Sequence, residues 1–257
     1  MMLLIDMGNT AIKAASCTDG VLSPVFRERH RGQDLAVVVD RLLTAVPAPA
    51  AIWLSSVLNP GCTSTVLNQL KAHWSCPVHQ VITWSGAVRP NLDVHIAYAD
   101  PQRLGVDRWL AMIAAKATFP GDTVIADLGS ALTVDVLRAD GRHLGGIIVP
   151  GLKAMRHGLS VGTALDLDQS SPPPPPGLGV DTESGIAAGT LLALAGAVDG
   201  AVRVAHEVHG LSPQLLITGG DANALATAIH TSAHTSARII DDLVLRGLAL
   251  LSAASST

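Results

Sequence analysis

The first residues able to do chemistry follow the N-terminal apolar run, in the segment DMGNTAIK that begins at Asp6. Gly8 permits a tight turn and a close approach of the backbone to a ligand. The amides and hydroxyl of Asn9 and Thr10 can then bond phosphate oxygens, to which Lys13 supplies a cation. Asp6 can hold Mg²⁺, usually through water. A plain β-hairpin with a Gly/Asn turn is the alternative interpretation.

The second half of the chain repeats this pattern. Laid against Leu3–Thr10, the run Val124–Ala131 has the same order of an apolar strand, an aspartate, a glycine and small polar residues, and Thr133 follows. Two such turns are harder to dismiss as hairpins than one. A duplicated α/β domain with a cleft between the copies explains the repeat most economically, and we expect the domains at residues 1–117 and 118–257.

Strands and helices must alternate to position these turns, and the apolar spacing predicts that they do. Strands are expected at Leu3–Asp6, Ala11–Cys17, Val21–Arg27, Ala51–Val57, Val78–Ile82, Val124–Asp127, Leu132–Leu137, Leu144–Val149 and Leu215–Thr218. Helices are expected from Gln33 to the stop at Pro47, at Thr63–Trp74, after Gly151, at Thr182–His209, and twice more before the C-terminus.

Composition excludes several classes of protein. The chain has 257 residues, of which 48% are hydrophobic and 15% charged, far too apolar for a disordered chain. The net charge of −4 and the aromatic content of 3% argue against nucleic-acid binding. The longest uncharged apolar stretch, Gly185–Val198, is too short to span a membrane, which needs about 20 residues. Cys17, Cys62 and Cys76 form no C-x-x-C pair, which favours reduced thiols in the cytoplasm.

Four motifs, taken in order, resemble those of the type III pantothenate kinases. They are DxGNTxxK at Asp6, GVDR at Gly105, DxGSAxT at Asp127 and GGIIVPG at Gly145, and the resemblance spans Leu3–Leu251. It implies a cytoplasmic homodimer that phosphorylates the 4′-hydroxyl of pantothenate with ATP, the first committed step towards coenzyme A. The implied fold is a pair of ribonuclease-H-like α/β domains of the actin, sugar-kinase and acetate-kinase group, with a cleft between them.

The resemblance also assigns roles to residues. Those matched to ATP phosphates are Asp6, Gly8, Asn9, Thr10, Lys13 and Ser130; those matched to pantothenate are Tyr98, Gly105, Val106, Asp107, Arg108 and Thr182. Asp107 would be the general base, and Asp6 would hold Mg²⁺ through water. Asp127 would bind the monovalent cation, K⁺ or NH₄⁺, that the family requires. Thr182 would reach pantothenate from the partner subunit, and Gly219–Asp221 resembles a turn near the nucleotide base.

The substrate-site residues have ordinary interpretations as well. Pantothenate is a small anion with a primary hydroxyl, so a cation such as Arg108 suits its pocket. A solvated helix charge beside an arginine is the alternative for Asp107, and a half-buried aromatic with a hydrated hydroxyl is the alternative for Tyr98. On a helix, Asp107 and Arg108 point about 100° apart and need not pair.

The chain departs from the family pattern at three places. Ser130 replaces a threonine and keeps the hydroxyl. Asp181 stands where asparagine is common and adds a negative charge beside an anionic substrate. The Pro172–Pro176 run favours an extended loop just before Thr182.

Other candidate sites are weaker. The pairs His206/His209 and His230/His234 have metal-ligand spacing, yet no Cys, Asp or Glu nearby completes a zinc site. The basic residues Arg27, Arg29, His30 and Arg31 are interpreted as a solvated strand end. Two other functions stay open: another small-molecule kinase or a phosphatase of the same superfamily, and a non-catalytic ATP-binding assembly module.

Overall fold

The structure, a computed structural model, describes residues 1–84, 92–163, 177–229 and 237–254. The chain divides into two compact units. The first is drawn from Met1–Val94, Tyr98–Ala114 and Leu243–Thr257, and the second from His95–Ala97 and Ala115–Asp242. The Pro172–Pro176 loop and the His230/His234 pair, both singled out in the sequence, lie outside the described residues.

The first unit contains a mixed sheet. Its strands are β1 (Met2–Met7), β2 (Ala11–Thr18), β3 (Val21–Leu22), β4 (Phe26–Arg29), β5 (Ala51–Ser56) and β6 (Val78–Gln80). They lie in the order β3-β2-β1-β5-β6, with β4 also paired to β2. Strand β1 is antiparallel to β2 and parallel to β5, which is parallel to β6. The single strand predicted over Val21–Arg27 is therefore two strands; Pro24, which lacks an N–H, lies between them.

The second unit contains a sheet of the same design. Its strands are β7 (Thr123–Leu128), β8 (Ala131–Leu137), β9 (His143–Pro150), β10 (Gln214–Thr218) and β11 (Ala237–Ile239). Their order is β11-β10-β7-β8-β9, in which β7, β8 and β9 are antiparallel neighbours and β7, β10 and β11 run parallel. Three antiparallel strands followed by two parallel ones occur in both units, which confirms the predicted duplicated ribonuclease-H-like fold.

Helices cover the sheets. They are α1 (Leu35–Ala45), α2 (Pro60–His73), α3 (Val106–Thr118), α4 (Leu152–Gly162), α5 (Thr182–Glu207), α6 (Ala222–Ala228) and α7 (Leu243–Ala254). Helix α1 begins two residues after the predicted Gln33, and α2 begins at Pro60, three residues before the predicted Thr63. Asp34 and Asn59 set these starts as caps, each accepting a bond from a backbone N–H of the first turn. In the first unit α1 and α2 pack together over the core formed by Leu3, Ile5 and Met7 of β1, while α7 contacts β1, β2 and β5.

Helix α5 contains the apolar run Gly185–Val198 that the sequence analysis judged too short to span a membrane. Among the described residues it is the one helix long and apolar enough to cross a membrane by length and composition. The uncharged run within it is shorter than the helix, because α5 also contains Glu183 and Asp199 on either side of that run. Eight of its residues are nevertheless buried, and Leu191, Leu194 and Val198 belong to the core of the second unit. One side of the helix therefore packs into the core of that unit.

Candidate active site

The Asp6 turn lies at the carboxyl end of β1. Cross-strand register places Asp6 opposite Lys13 of β2 and Ser55 of β5, so the three side chains share one face of the sheet. The Asp6 carboxylate is buried, and its Oδ1 accepts a 3.0 Å hydrogen bond from the Ser55 hydroxyl. The turn is closed by a 3.1 Å bond from the Gly8 N–H to the Ala11 carbonyl. A buried carboxylate and a tight turn therefore lie together here, and Lys13 on the neighbouring strand is on the same face of the sheet.

Ser55 is a site residue that the sequence reasoning missed. It is fully buried although it is polar, and it orients the Asp6 carboxylate through that hydrogen bond. The signal lay in the two serines that end an otherwise apolar strand, Ala51–Ser56, parallel to β1. Because parallel strands carry functional residues at their carboxyl ends, such a polar ending is informative.

The substrate-matched residues form a second cluster, around the start of α3. Arg108 is buried, and its Nη1 donates a 3.0 Å hydrogen bond to the Tyr98 hydroxyl, with the guanidinium 5.9 Å from the ring centroid. Asp107 turns back, and its Oδ1 accepts a 2.8 Å bond from the Arg108 backbone N–H. A Cβ on Gly105 would stand 2.4 Å from that oxygen, so glycine leaves room for the carboxylate. Tyr98, Gly105, Asp107 and Arg108 are therefore brought together, and Val106 begins the helix.

This cluster lies at the same edge of the sheet as the Asp6 turn. Thr83, just beyond β6, donates a 2.8 Å bond from its buried hydroxyl to the Leu104 carbonyl. The Val57 N–H, just beyond β5, bonds the Met7 carbonyl at the end of β1. Because β1, β5 and β6 are parallel, all these contacts occur at their carboxyl ends, where ligands bind in open α/β sheets. Helix α3 was not among the predicted elements, although the sequence had drawn attention to its first turn.

In the second unit, Asp127 occupies the position that Asp6 occupies in the first. It ends β7, opposite Thr133 of β8 and Thr218 of β10. The Gly129 N–H closes the turn on the Ala131 carbonyl at 2.9 Å, and this turn is one residue shorter than the first because Leu128 pairs with Leu132. The neighbours of Asp127 thus carry hydroxyls where Asp6 has an ammonium and a hydroxyl. Thr218 is buried and was not named from the sequence as a site residue.

Two glycines let the backbone close tightly around this turn. A Cβ on Gly151 would stand 2.5 Å from the Gly129 carbonyl oxygen, and the Gly151 N–H donates to the Ser130 carbonyl at 3.1 Å. Gly219 has φ +101°, and a Cβ there would lie 2.3 Å from the Leu128 oxygen and 2.5 Å from Asp127 Oδ1. The start of α4, capped by Gly151 without a side-chain bond, therefore adjoins Ser130.

Thr182 begins α5 and is exposed. The preceding residue, Asp181, is its N-cap: the carboxylate accepts 2.8 Å bonds from both the N–H and the hydroxyl of Ser184. These bonds lower the pKa of the Asp181 carboxyl below its ordinary value. The negative charge that sets this chain apart from the family pattern therefore serves the helix start.

The His206/His209 pair is partly accounted for; His206 lies in the last turn of α5 and His209 lies beyond its end. The Nδ1 of His206 lies 3.0 Å from the Leu211 carbonyl, to which it donates, so this ring holds the chain after the helix. Within the described residues no group of three or more His, Cys, Asp or Glu side chains could hold a metal ion. The cysteines Cys17, Cys62 and Cys76 are all free thiols, and burial raises the pKa of Cys17.

Comparison with known structures concerns the fold alone, because identities are low. A conserved protein of Campylobacter jejuni assigned to the Baf family is 22% identical, with a TM-score of 0.58 over 99% of this chain and 98% of that one. Component A of (R)-2-hydroxyglutaryl-CoA dehydratase from Acidaminococcus fermentans is 15% identical, with a TM-score of 0.52 over 99% and 96%. Both support the duplicated architecture.

Sequence comparison is more specific. The family described as type III pantothenate kinase matches residues 2–204. A type III pantothenate kinase of Halorhodospira halophila is 36% identical over 89% of this chain and 90% of its own length. That of Burkholderia thailandensis is 34% identical over 97% and 96%. The fold and the two aspartate turns agree with these matches. The chain therefore belongs to the type III pantothenate kinase family.

Proposed function

We propose that the Asp6 turn, the cluster at the start of α3 and the Asp127 turn are the working parts of a pantothenate kinase. Membership of the family makes the chain a phosphotransferase that uses ATP to phosphorylate pantothenate, in coenzyme A biosynthesis. The observation that carries the assignment of residues is the repeated register. Asp6 and Asp127 end equivalent strands in two sheets of identical order.

The first turn is assigned to the ATP phosphates. Phosphoryl transfer depends mainly on positioning and on neutralising negative charge. Lys13, on the same face as Asp6, supplies a positive charge, while the backbone and side chains of Gly8, Asn9 and Thr10 supply hydrogen-bond donors. The buried Asp6 carboxylate, fixed by Ser55, suits Mg²⁺ held through water. When bound, that ion offsets phosphate charge.

The cluster at α3 is assigned to pantothenate. Arg108 offers a buried guanidinium for the substrate carboxylate, and its bond to Tyr98 fixes the orientation. Asp107 is half-buried and presents a carboxylate as the base that takes the hydroxyl proton. Gly105 and Val106 complete the pocket wall at the helix start.

The Asp127 turn is assigned to a monovalent cation, K⁺ or NH₄⁺, with Ser130 beside it for phosphate. Hard cations prefer carboxylate, hydroxyl and carbonyl oxygens. Thr133 and Thr218 flank Asp127, and the tight packing of Gly219 brings the Leu128 carbonyl close. The space a Cβ would fill at Gly219 is therefore bounded by oxygen atoms. This donor set fits a potassium-like ion better than a phosphate.

A homodimer, with Thr182 contributing to the partner's substrate site, completes the proposal. Helices α4 and α5 and strand β9 pack together, and large apolar side chains are exposed on them and on the residues just before α5. These are Ile147, Ile148, Leu159, Leu178, Val180 and Leu192. Exposed apolar surface next to Thr182 supports a subunit interface there. The three free thiols fit the cytoplasm as the location.

The test is a coupled assay of ADP release with ATP and Mg²⁺. We expect turnover that requires pantothenate and either K⁺ or NH₄⁺, with Na⁺ as the matched salt. A folded sample without pantothenate-dependent turnover under every cation would contradict the activity. Turnover with another hydroxyl substrate from a panel would indicate a different kinase, and phosphate release from a phosphomonoester would indicate a phosphatase. Nucleotide-dependent sedimentation without turnover would indicate an assembly module.

A further inference from the structure

The end of β4 holds the Asp6 turn in place through His30. The Nε2 of His30 lies 2.8 Å from the Gly8 carbonyl oxygen, and the two residues are far apart in the chain. A carbonyl only accepts hydrogen bonds, so Nε2 must carry the proton and donate it. The sequence interpretation of His30 as part of a solvated strand end is therefore wrong for this residue, which is half-buried and engaged.

The backbone of the same segment fixes the other side of the turn. The N–H groups of His30 and Arg31 both donate to the Thr10 carbonyl, at 2.9 and 3.3 Å. His30 is itself anchored, because its carbonyl accepts a 2.9 Å bond from the Gln33 N–H. Both the backbone N–H and the backbone carbonyl of His30 are therefore hydrogen-bonded. The connection between β4 and α1 thus fixes the backbone that carries the imidazole ring.

Bonding of these two carbonyls determines where the intervening N–H groups point. In a trans peptide the C=O of one residue and the N–H of the next lie in one plane and point in opposite directions. Fixing the Gly8 carbonyl toward His30 therefore directs the Asn9 N–H away from His30. Fixing the Thr10 carbonyl does the same for the Ala11 N–H. Asn9 therefore lies between two peptide groups, Gly8–Asn9 and Thr10–Ala11, whose carbonyls are both hydrogen-bonded.

We propose that His30 is a positioning residue of the phosphate-binding turn, whose Nε2–H, by bonding the Gly8 carbonyl, aims the Asn9 amide at an ATP phosphate. This inference rests on the proposed role of the Asp6 turn. It makes His30 part of the nucleotide site without any contact between the imidazole and ATP. Loss of the bond lets the Gly8–Asn9 peptide rotate, which weakens ATP binding and leaves pantothenate binding unaffected.

Two amide side chains separate this role from general packing. Glutamine places an N–H close to the position of histidine Nε2, whereas asparagine is one methylene shorter and places it near Nδ1. We expect His30→Gln to keep the wild-type KM and Kd for ATP within about twofold, since one donor replaces another. His30→Asn and His30→Ala should raise both about three- to tenfold, the effect of one hydrogen bond. The KM for pantothenate should stay unchanged in all three variants. His73→Asn, on the exposed end of α2, is the matched control and should change nothing.

Calorimetric titration with ATP measures Kd without any acceptor. Absence of pantothenate turnover in the wild type would therefore refute the proposed function while the Kd series still decides the role of His30. Equal ATP affinity in all variants, or a loss in His30→Gln equal to that in His30→Asn, would overturn the inference. A ¹⁵N NMR measurement on the wild-type imidazole provides a check that needs no variant to fold. A proton on Nε2 supports the inference, and a neutral ring with its proton on Nδ1 contradicts it.

Discussion

At the scale of single residues, Asp107 and Arg108 illustrate how neighbours in sequence acquire separate tasks. They stand in the first turn of α3, yet the guanidinium bonds Tyr98 while the carboxylate folds back to the helix backbone. In the proposed function, the Arg108 guanidinium binds the substrate carboxylate and the Asp107 carboxylate is the base for its hydroxyl.

Asp107→Asn tests the base. Asparagine keeps an Oδ1 that can accept the Arg108 N–H bond, so the start of α3 should stay intact while the proton acceptor is lost. Because general-base catalysis contributes about 10²- to 10⁴-fold, kcat should fall by that order with little change in either KM. Steady-state assays of ADP release measure it, with thermal unfolding as the control for folding. Wild-type kcat in this variant would remove Asp107 from the role.

At the scale of elements, the second aspartate turn depends on how closely α4 begins beside it. Gly151→Ala would place a methyl group 2.5 Å from the Gly129 oxygen. We expect a loss of about 1–3 kcal/mol in the free energy of unfolding, as for other overpacked sites, together with weaker activation by K⁺. Denaturant titration and a K⁺ series measure the two effects.

The matched control lies in the same helix. A Cβ on Gly158 meets nothing within 4 Å, so Gly158→Ala should stabilise α4 by about 0.5–1 kcal/mol and leave K⁺ activation unchanged. Equal stability of Gly151→Ala and Gly158→Ala would show that the turn tolerates a side chain, contrary to the packing described.

The start of α5 should respond to acid. Because Ser184 lowers the pKa of Asp181 in the folded chain, the ionised cap stabilises the helix above the ordinary aspartate pKa. That contribution is lost as the pH falls from about 4 through the lowered folded value. Asp181→Asn keeps a cap that does not titrate, so its stability should lack this component. A ¹³C NMR titration of Asp181 and unfolding curves at several pH values provide the measurements. An Asp181 carboxyl that titrates at or above its ordinary value would contradict the prediction.

At the scale of the whole molecule, the proposed dimer would account for exposed apolar residues in the second unit. Ile148→Asp with Val180→Asp should convert a dimer to a monomer in light scattering and raise the KM for pantothenate, because Thr182 would then no longer reach the partner's site. Val21→Asp, at a comparably exposed position in the first unit, should leave the mass unchanged. A monomeric wild-type protein with full activity would contradict the proposed assembly.

The sequence predicted most of this architecture because its signals were local. Apolar runs ending in Asp-x-Gly marked β1 and β7, and the turn at Asp19-Gly20, both in left-handed conformation, joined β2 to β3. Helix α3 was not predicted, and neither were two other kinds of feature. The short strand β11 gains its identity only from pairing with β10, and Ser55, Thr218 and His30 act through contacts distant in sequence. Such contacts leave no periodic pattern to detect.

The register of the two aspartate turns has a consequence for the proposed requirement for K⁺. The extra residue of the first turn is absorbed before β2, so Lys13 and Thr133 still face equivalent aspartates. Thr133→Lys would therefore place an ammonium group opposite Asp127. We expect this variant to be less dependent on K⁺, measured as the ratio of turnover in K⁺ to turnover in Na⁺; an unchanged ratio would contradict the assignment of the cation.

Dependence on an external ion would then be a heritable trait set by one codon. One of the two aspartate turns would then carry a built-in positive charge, and the other would borrow its charge from the ions of the cell. Selection could then change the dependence on K⁺ by a single substitution, without altering either sheet.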